Sequence, residues 1–124
     1  ESDIDNNGLV LRLSMGEVSF LLTADIMWQA ELELIAGRAD LRSTVLKVAH
    51  HGSATSTTPE FLAVASPQLA VISVGADNRF GHPTPEVMDR LEARLGAGNI
   101  YRTDEQGTVA FVTDGRRLWV RTER

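Results

Sequence analysis

All three histidines of the chain stand in polar stretches that directly follow short apolar runs. His50 and His51 lie in His50-His51-Gly52-Ser53, and His82 lies between Gly81 and Pro83. Asp25 follows a third apolar run, and Asp77 and Asn78 share the stretch that holds His82. Imidazole nitrogen and carboxylate oxygen are the donors that Zn²⁺ or Mn²⁺ takes where no thiolate is available, and this sequence has no cysteine. A carboxylate bridging two ions ~3.5–4 Å apart lets them activate water and stabilise both oxygens of a displacement. Asp25 and one histidine make at most half of such a site. Each residue also has a plainer role: Asp25 as the N-cap of the next helix, the histidine pair as a solvated loop, and His82 as a turn residue. Gly52 permits close backbone approach beside the pair. Lys47 and Arg79 are basic enough to touch a phosphate, although single basic residues are mostly solvated surface groups.

These residues need elements to carry them. Two alternating runs, 9–13 and 18–23, are separated by a short turn containing Gly16 and read as a β-hairpin. Residues 27–36 are helix formers, with Trp28, Leu32 and Ile35 at helical spacing and Gly37 at the C-terminal cap position. The run 44–49 reads as a buried strand, and Thr58-Pro59-Glu60 starts a helix with a capping hydroxyl, a proline at the first helical position and an acidic first turn. The run 69–74 and Thr84-Pro85-Glu86 repeat that unit, with the helix running through Leu95 to Gly96. Residues 100–103, 108–113 and 117–122 alternate again, the last two flanking Asp114-Gly115, a hairpin signal. Successive strand–loop–helix units predict an α/β fold with parallel pairing and central strands covered by helices. Ligands of such sheets bind beyond the carboxyl ends of the strands, where Asp25, the histidine pair and His82 all fall.

The composition agrees. With 124 residues, 43% hydrophobic and 23% charged, the chain has the size and apolar content of one globular domain and is neither disordered nor a disulfide scaffold. No apolar stretch approaches the ~18 residues that cross a bilayer, and the acidic N-terminus lacks the build of a signal peptide, so a soluble chain is expected. A net charge of −5 gives no general attraction to nucleic acid, so a phosphate substrate has to be held locally, for instance by a metal.

The stretches Asn6-Asn7-Gly8-Leu9-Val10-Leu11-Arg12-Leu13, Leu21-Leu22-Thr23-Ala24-Asp25-Ile26, Leu46-Lys47-Val48-Ala49-His50-His51-Gly52-Ser53 and Ile72 to Pro83 resemble, in this order, the metallo-β-lactamase-like domain of ComEC-type DNA-uptake (competence) proteins. The resemblance runs from about Asn6 to near the C-terminus. It implies an αββα sandwich with a dinuclear metal site at one edge. The superfamily's diagnostic His-x-His-x-Asp-His cluster, which belongs to the N-terminal half, does not occur here, so residues 1–124 are expected to be the C-terminal part of that domain. By motif position Asp25 corresponds to the bridging metal-binding aspartate and His51 to the last metal histidine. His50 is then a neighbour that contacts substrate or is itself the ligand. His82 falls beside the metal centre, to bind a phosphate or protonate the leaving oxygen, while Asp77 and Asn78 shape its loop. Where many members carry a further metal histidine, this chain has Asn6 and Asn7, as ComEC-like sequences do.

Two functions are expected from this. In the first, the complete protein hydrolyses phosphodiester bonds of a DNA strand with two divalent ions, Zn²⁺ or Mn²⁺, as a soluble domain of a bacterial inner-membrane protein. Its partners are DNA, the missing N-terminal half and a membrane channel region, and the chain alone is inactive and binds metal weakly. In the second, the chain is a catalytically inactive binding or regulatory module of the same fold. The uncovered sheet edge left by a missing half is expected to favour self-association.

Overall fold

The computed structural model describes residues 9–124. The first two alternating runs pair as an antiparallel hairpin, β1 (Leu11–Met15) and β2 (Val18–Leu22), with Met15 opposite Val18 and Gly16 at φ 58° in the turn. Three short strands then add in parallel, β3 (Val45–Lys47), β4 (Leu69–Ile72) and β5 (Ile100–Arg102), giving one mixed five-stranded sheet of order β1-β2-β3-β4-β5. Helices α1 (Trp28–Ala36), α2 (Pro59–Ala65) and α3 (Pro85–Leu95) connect successive parallel strands. A single turn, α4 (Thr103–Gln106), leads to a separate antiparallel pair, β6 (Val109–Thr113) and β7 (Leu118–Thr122). The fold is α/β, as the strand–loop–helix repeat predicts.

Local chemistry explains most boundaries. Thr58 Oγ1 accepts from Phe61 N at 3.1 Å and Thr84 Oγ1 from Val87 N at 3.3 Å, so both Thr-Pro-Glu signals open helices, and Gly96 at φ 87° ends α3. In the β6–β7 turn Asp114 Oδ1 accepts from Arg116 N and Arg117 N. Helix α1 ends at Ala36 with Gly37 as its C-cap, as expected, although Gly37 stays right-handed and the left-handed residue is Arg38 at φ 58°; at the other end its N-cap is Met27, without a side-chain cap. Its buried face differs from expectation: Ala30 and Glu31 are buried while Trp28 and Leu32 are exposed.

Paired strand residues share a face. Leu21, Leu46 and Ala70 line the face against the helices and meet Phe61, Leu62 and Leu91, all 1% exposed or less. The opposite face is covered by the second hairpin rather than by helices, correcting the expectation of helix-covered central strands: the Phe111 ring lies 6.1 Å from both Phe20 and Tyr101. Lys47 lines the roughly 270 Å³ cleft between the two sheets. The hairpin is anchored at the far end, where Glu17 N donates to Gly115 O at 2.6 Å. On β1, an edge strand of this sheet, Leu11, Leu13 and Met15 stay exposed.

Candidate functional site

Strands β2, β3 and β4 run parallel, so their carboxyl ends open at one edge and the loops that follow them meet there. Specific bonds tie each loop to the next. Thr23 Oγ1 donates to Lys47 O at 2.5 Å, His50 N donates to Ala24 O at 2.9 Å, and Ser56 Oγ donates to Ile26 O at 2.6 Å. Trp28 N donates to Thr55 O at 2.9 Å. Below them the Glu31 carboxylate, fully buried, accepts from Thr57 N at 2.5 Å, Thr58 N at 3.0 Å and Thr58 Oγ1 at 2.9 Å. Arg90 closes the assembly by donating to Thr57 O at 2.8 Å. A buried carboxylate is stable only with such partners, and here they pin the loop that carries the histidine pair.

That loop leaves β3 earlier than its apolar run suggests. The chain winds through a short 3-10 turn over Ala49–Gly52 in which His50 and His51 take φ 55° and φ 54°, followed by Gly52 at φ 85°. Left-handed backbone in a side-chain-bearing residue costs ~1–2 kcal/mol, and two in succession persist only where the surroundings hold them. The third loop supplies part of that hold. Thr84 N donates to Gly52 O at 3.0 Å, and a Cβ on Gly52 would stand 2.5 Å from Pro83 Cβ.

The turn aims His51 at Asp25. His51 Nδ1 lies 2.7 Å from Ser73 O, and because a carbonyl only accepts, Nδ1 carries the proton. In the neutral ring Nε2 is then the bare nitrogen, and it stands 3.7 Å from Asp25 Oδ1. This separation is too long for a hydrogen bond but suits two ligands of one ion, each ~2.0–2.2 Å from it. An imidazole fixed through its other nitrogen by a carbonyl is also how proteins orient a metal histidine. Asp25 is not the N-cap of α1, which begins after Met27, and its carboxylate is more than half exposed at the rim. The pair fits as part of a metal site, with donors that suit Zn²⁺ or Mn²⁺. Among the described residues no group of three or more His, Cys, Asp or Glu gathers to complete it.

His50 and His82 join from the side. His50 Nδ1 is 3.3 Å from Thr55 Oγ1, whose hydroxyl lies 2.8 Å from that of Ser53, and the His50 ring meets His82 edge-on at 6.2 Å. Burial first, and then the neighbouring His50 and His51, lower the pKa of His82 below 6.5, so its ring is neutral at pH 7. Asn78 holds its backbone from both sides: Oδ1 accepts from His82 N at 2.9 Å and from Phe80 N at 3.3 Å, and Nδ2 donates to His82 O at 2.9 Å and Gly75 O at 3.1 Å. Loop shaping thus falls to Asn78, while Asp77 is exposed. His51, Asn78, Phe80 and His82 line an open pocket of about 200 Å³.

Asp25, His50, His51 and His82 therefore share one edge. Lys47 lies on the other side of the sheet, in the inter-sheet cleft, and Arg79 is exposed on the His82 loop. Asn6 and Asn7 lie outside the described residues. Sequence reasoning missed Glu31, although its spacing from Leu34 and Ile35 puts it on the inward stripe of α1, and it passed over Phe80.

Sequence comparison adds to this geometry. The chain is 36% identical over 107 residues to ComE operon protein 3 of Bacillus subtilis (strain 168) and 38% identical over 112 residues to Competence protein ComA of Neisseria gonorrhoeae. This chain is a relative of competence proteins. It is also 34% identical over 110 residues to Recombination protein 2 of Haemophilus influenzae. These matches cover 86%, 88% and 89% of the chain but only 14%, 16% and 14% of the three relatives, so the chain spans about 15% of the length of these competence proteins and their kin. No family model and no solved structure matches it. Among the described residues no helix is long and apolar enough to cross a membrane.

Proposed function

We propose that this chain is the C-terminal part of a metallo-β-lactamase-like, metal-dependent hydrolase domain of a ComEC-type competence protein, which cleaves phosphodiester bonds of a DNA strand in the full-length protein. One observation carries the reading: His51, its Nδ1 proton committed to Ser73 O, presents a bare Nε2 at 3.7 Å from Asp25 Oδ1 at the ligand-binding end of a parallel sheet. Divalent ions, Zn²⁺ or Mn²⁺, supply Lewis acidity that activates water and offsets phosphate charge. Asp25 and His51 hold metal, and the remaining ligands come from the domain's N-terminal half. His82 is neutral when the site is empty of substrate. A phosphate anion beside it favours the protonated ring, the form that gives a proton to the leaving oxygen. His50, edge-on to His82 and near the Thr55 hydroxyl, orients that ring against the substrate. The domain is a soluble part of a bacterial inner-membrane protein and works beside its channel region.

The decisive experiment compares Asp25→Ala and His51→Ala with the parent in the full-length protein, measuring bound metal and the rate of DNA strand hydrolysis. Loss of bound metal together with a hundredfold or greater fall in rate is expected. Unchanged metal content with an unchanged rate overturns the proposal. The second reading, a catalytically inactive binding or regulatory module, is favoured by the meeting of only two ligands among the described residues. It predicts no hydrolysis by the full-length protein at any metal concentration.

A further inference from the structure

Phe80 is 80% exposed, the most of any large hydrophobic side chain in the described residues. An apolar ring left in water has no part in the core, and this one is held in place rather than loose. Asn78 fixes the loop through bonds to Phe80 N, His82 N and His82 O, and the Phe80 ring lies 5.9 Å from the His82 ring at an interplanar angle of 30°. Phe80 lines the same pocket as His51 and His82, and the cation Arg79, also exposed, precedes it. Gly81, which follows, has open space around it. An exposed aromatic ring and two imidazoles thus line one pocket, and an exposed cation is the neighbouring residue in the chain.

We propose that Phe80 is a stacking platform for an unpaired nucleobase next to the phosphate held at the histidines, and that Arg79 meets a neighbouring phosphate; the proposal rests on the phosphodiesterase reading above. A base inside a duplex is already stacked on both faces, so the platform selects single-stranded DNA. Stacking also suits the charge of the chain. A net charge of −5 gives no general attraction to a nucleic-acid strand, so on this chain the base contact and one arginine supply the grip and the salt dependence is shallow.

The test uses the full-length protein with Ca²⁺ in place of Zn²⁺ or Mn²⁺, so that binding is read without cleavage. Two fluorescein-labelled single strands of equal length serve as probes: an oligothymidylate and its abasic deoxyribose-phosphate counterpart. The parent is expected to bind oligothymidylate about tenfold more tightly than the abasic strand. Phe80→Ala should bring oligothymidylate down to the abasic affinity, and Phe80→Trp should restore the difference. Equal affinity of the parent for both strands overturns the platform. So does an equal loss on both strands in Phe80→Ala, which is the outcome if Phe80 packs on another part of the protein. Hydrolysis of the same two strands with Mn²⁺ separates the readings. Cleavage of both without base preference removes the platform and keeps the phosphodiesterase. Base-dependent binding without any cleavage supports the platform and removes the hydrolytic reading.

Discussion

Replacing Gly52 by alanine tests how the three loops are fitted together. Gly52 sits at φ 85°, a region that costs a side-chain-bearing residue ~1–2 kcal/mol. The added Cβ would also stand 2.5 Å from Pro83 Cβ and 2.8 Å from Pro83 Cα, closer than packed carbons approach, and Thr84 N is bound to Gly52 O at 3.0 Å on the same side. Relieving such a clash typically costs a further ~1–3 kcal/mol, for a total of ~2–5 kcal/mol. For a domain of this size each kcal/mol moves the melting temperature by about 4 °C, so Gly52→Ala is expected to melt ~8–20 °C lower. Two other glycines divide the effect. Gly81 has φ 69° but open space around it, and Gly81→Ala should lose only the backbone part, ~4–8 °C. Gly75 has open space and no positive φ, and Gly75→Ala should melt within about 2 °C of the parent. Circular dichroism melts of the three variants decide the matter. If Gly52→Ala melts together with Gly81→Ala, the close approach of the Pro83 loop to the histidine turn is wrong.

Three further outcomes are expected. Glu31→Ala leaves the amides of Thr57 and Thr58 without their acceptor and should destabilise the chain by ~3–5 kcal/mol in urea unfolding, with Glu31→Gln losing less; a loss under ~1 kcal/mol would refute the pinning role. Asn78→Ala should lower hydrolysis by the full-length protein about tenfold or more while shifting the melting temperature by less than ~4 °C, and a normal rate would show that the His82 loop holds its shape without it. In the metal-chelated chain, NMR titration should place His82 below 6.5, and His50→Gln should raise it only in part because burial is the larger cause. The sign for stability follows from that direction: a lowered folded-state pKa contributes stability that is fully present above 6.5 and is lost as pH falls through the lowered value. The parent should therefore lose more stability than His82→Gln between pH 7 and pH 5, and the opposite order would refute the shift.

The elements that the sequence announces are those written in local backbone chemistry. Thr58-Pro59 and Thr84-Pro85 open helices because the hydroxyl and the ring act within one turn, and Asp114 closes its turn by bonding amides two and three residues ahead. What stays hidden is decided across the chain. The run 44–49 is apolar enough for a longer strand, yet β3 stops at Lys47 because Ala24 O and Gly52 O draw the chain into a left-handed turn. The spacing of Glu31 from Leu34 and Ile35 permits its inward position, but the Thr57 and Thr58 amides that make a buried carboxylate tolerable there lie more than twenty residues away. The separate β6–β7 layer has the same alternation that an added strand of the main sheet would have.

The same division applies to the site. That Asp25, the histidine pair and His82 meet at one edge was legible, since parallel strands bring the loops after them together whatever their sequence. Whether Asp25 caps α1 was not, because an aspartate just ahead of a helix satisfies the capping rule as well as it would suit a metal. The choice is made by His50 N, whose bond to Ala24 O draws the left-handed turn against the end of β2 and leaves α1 to begin after Met27. Asp25 is thereby freed from capping and faces His51 Nε2, while Ser73 O, on a third segment, sets which imidazole nitrogen is bare. Two hydrogen bonds between residues more than twenty positions apart thus bring an ambiguous aspartate and one of two adjacent histidines face to face, which is why the proposed metal reading is tested at His51 before His50.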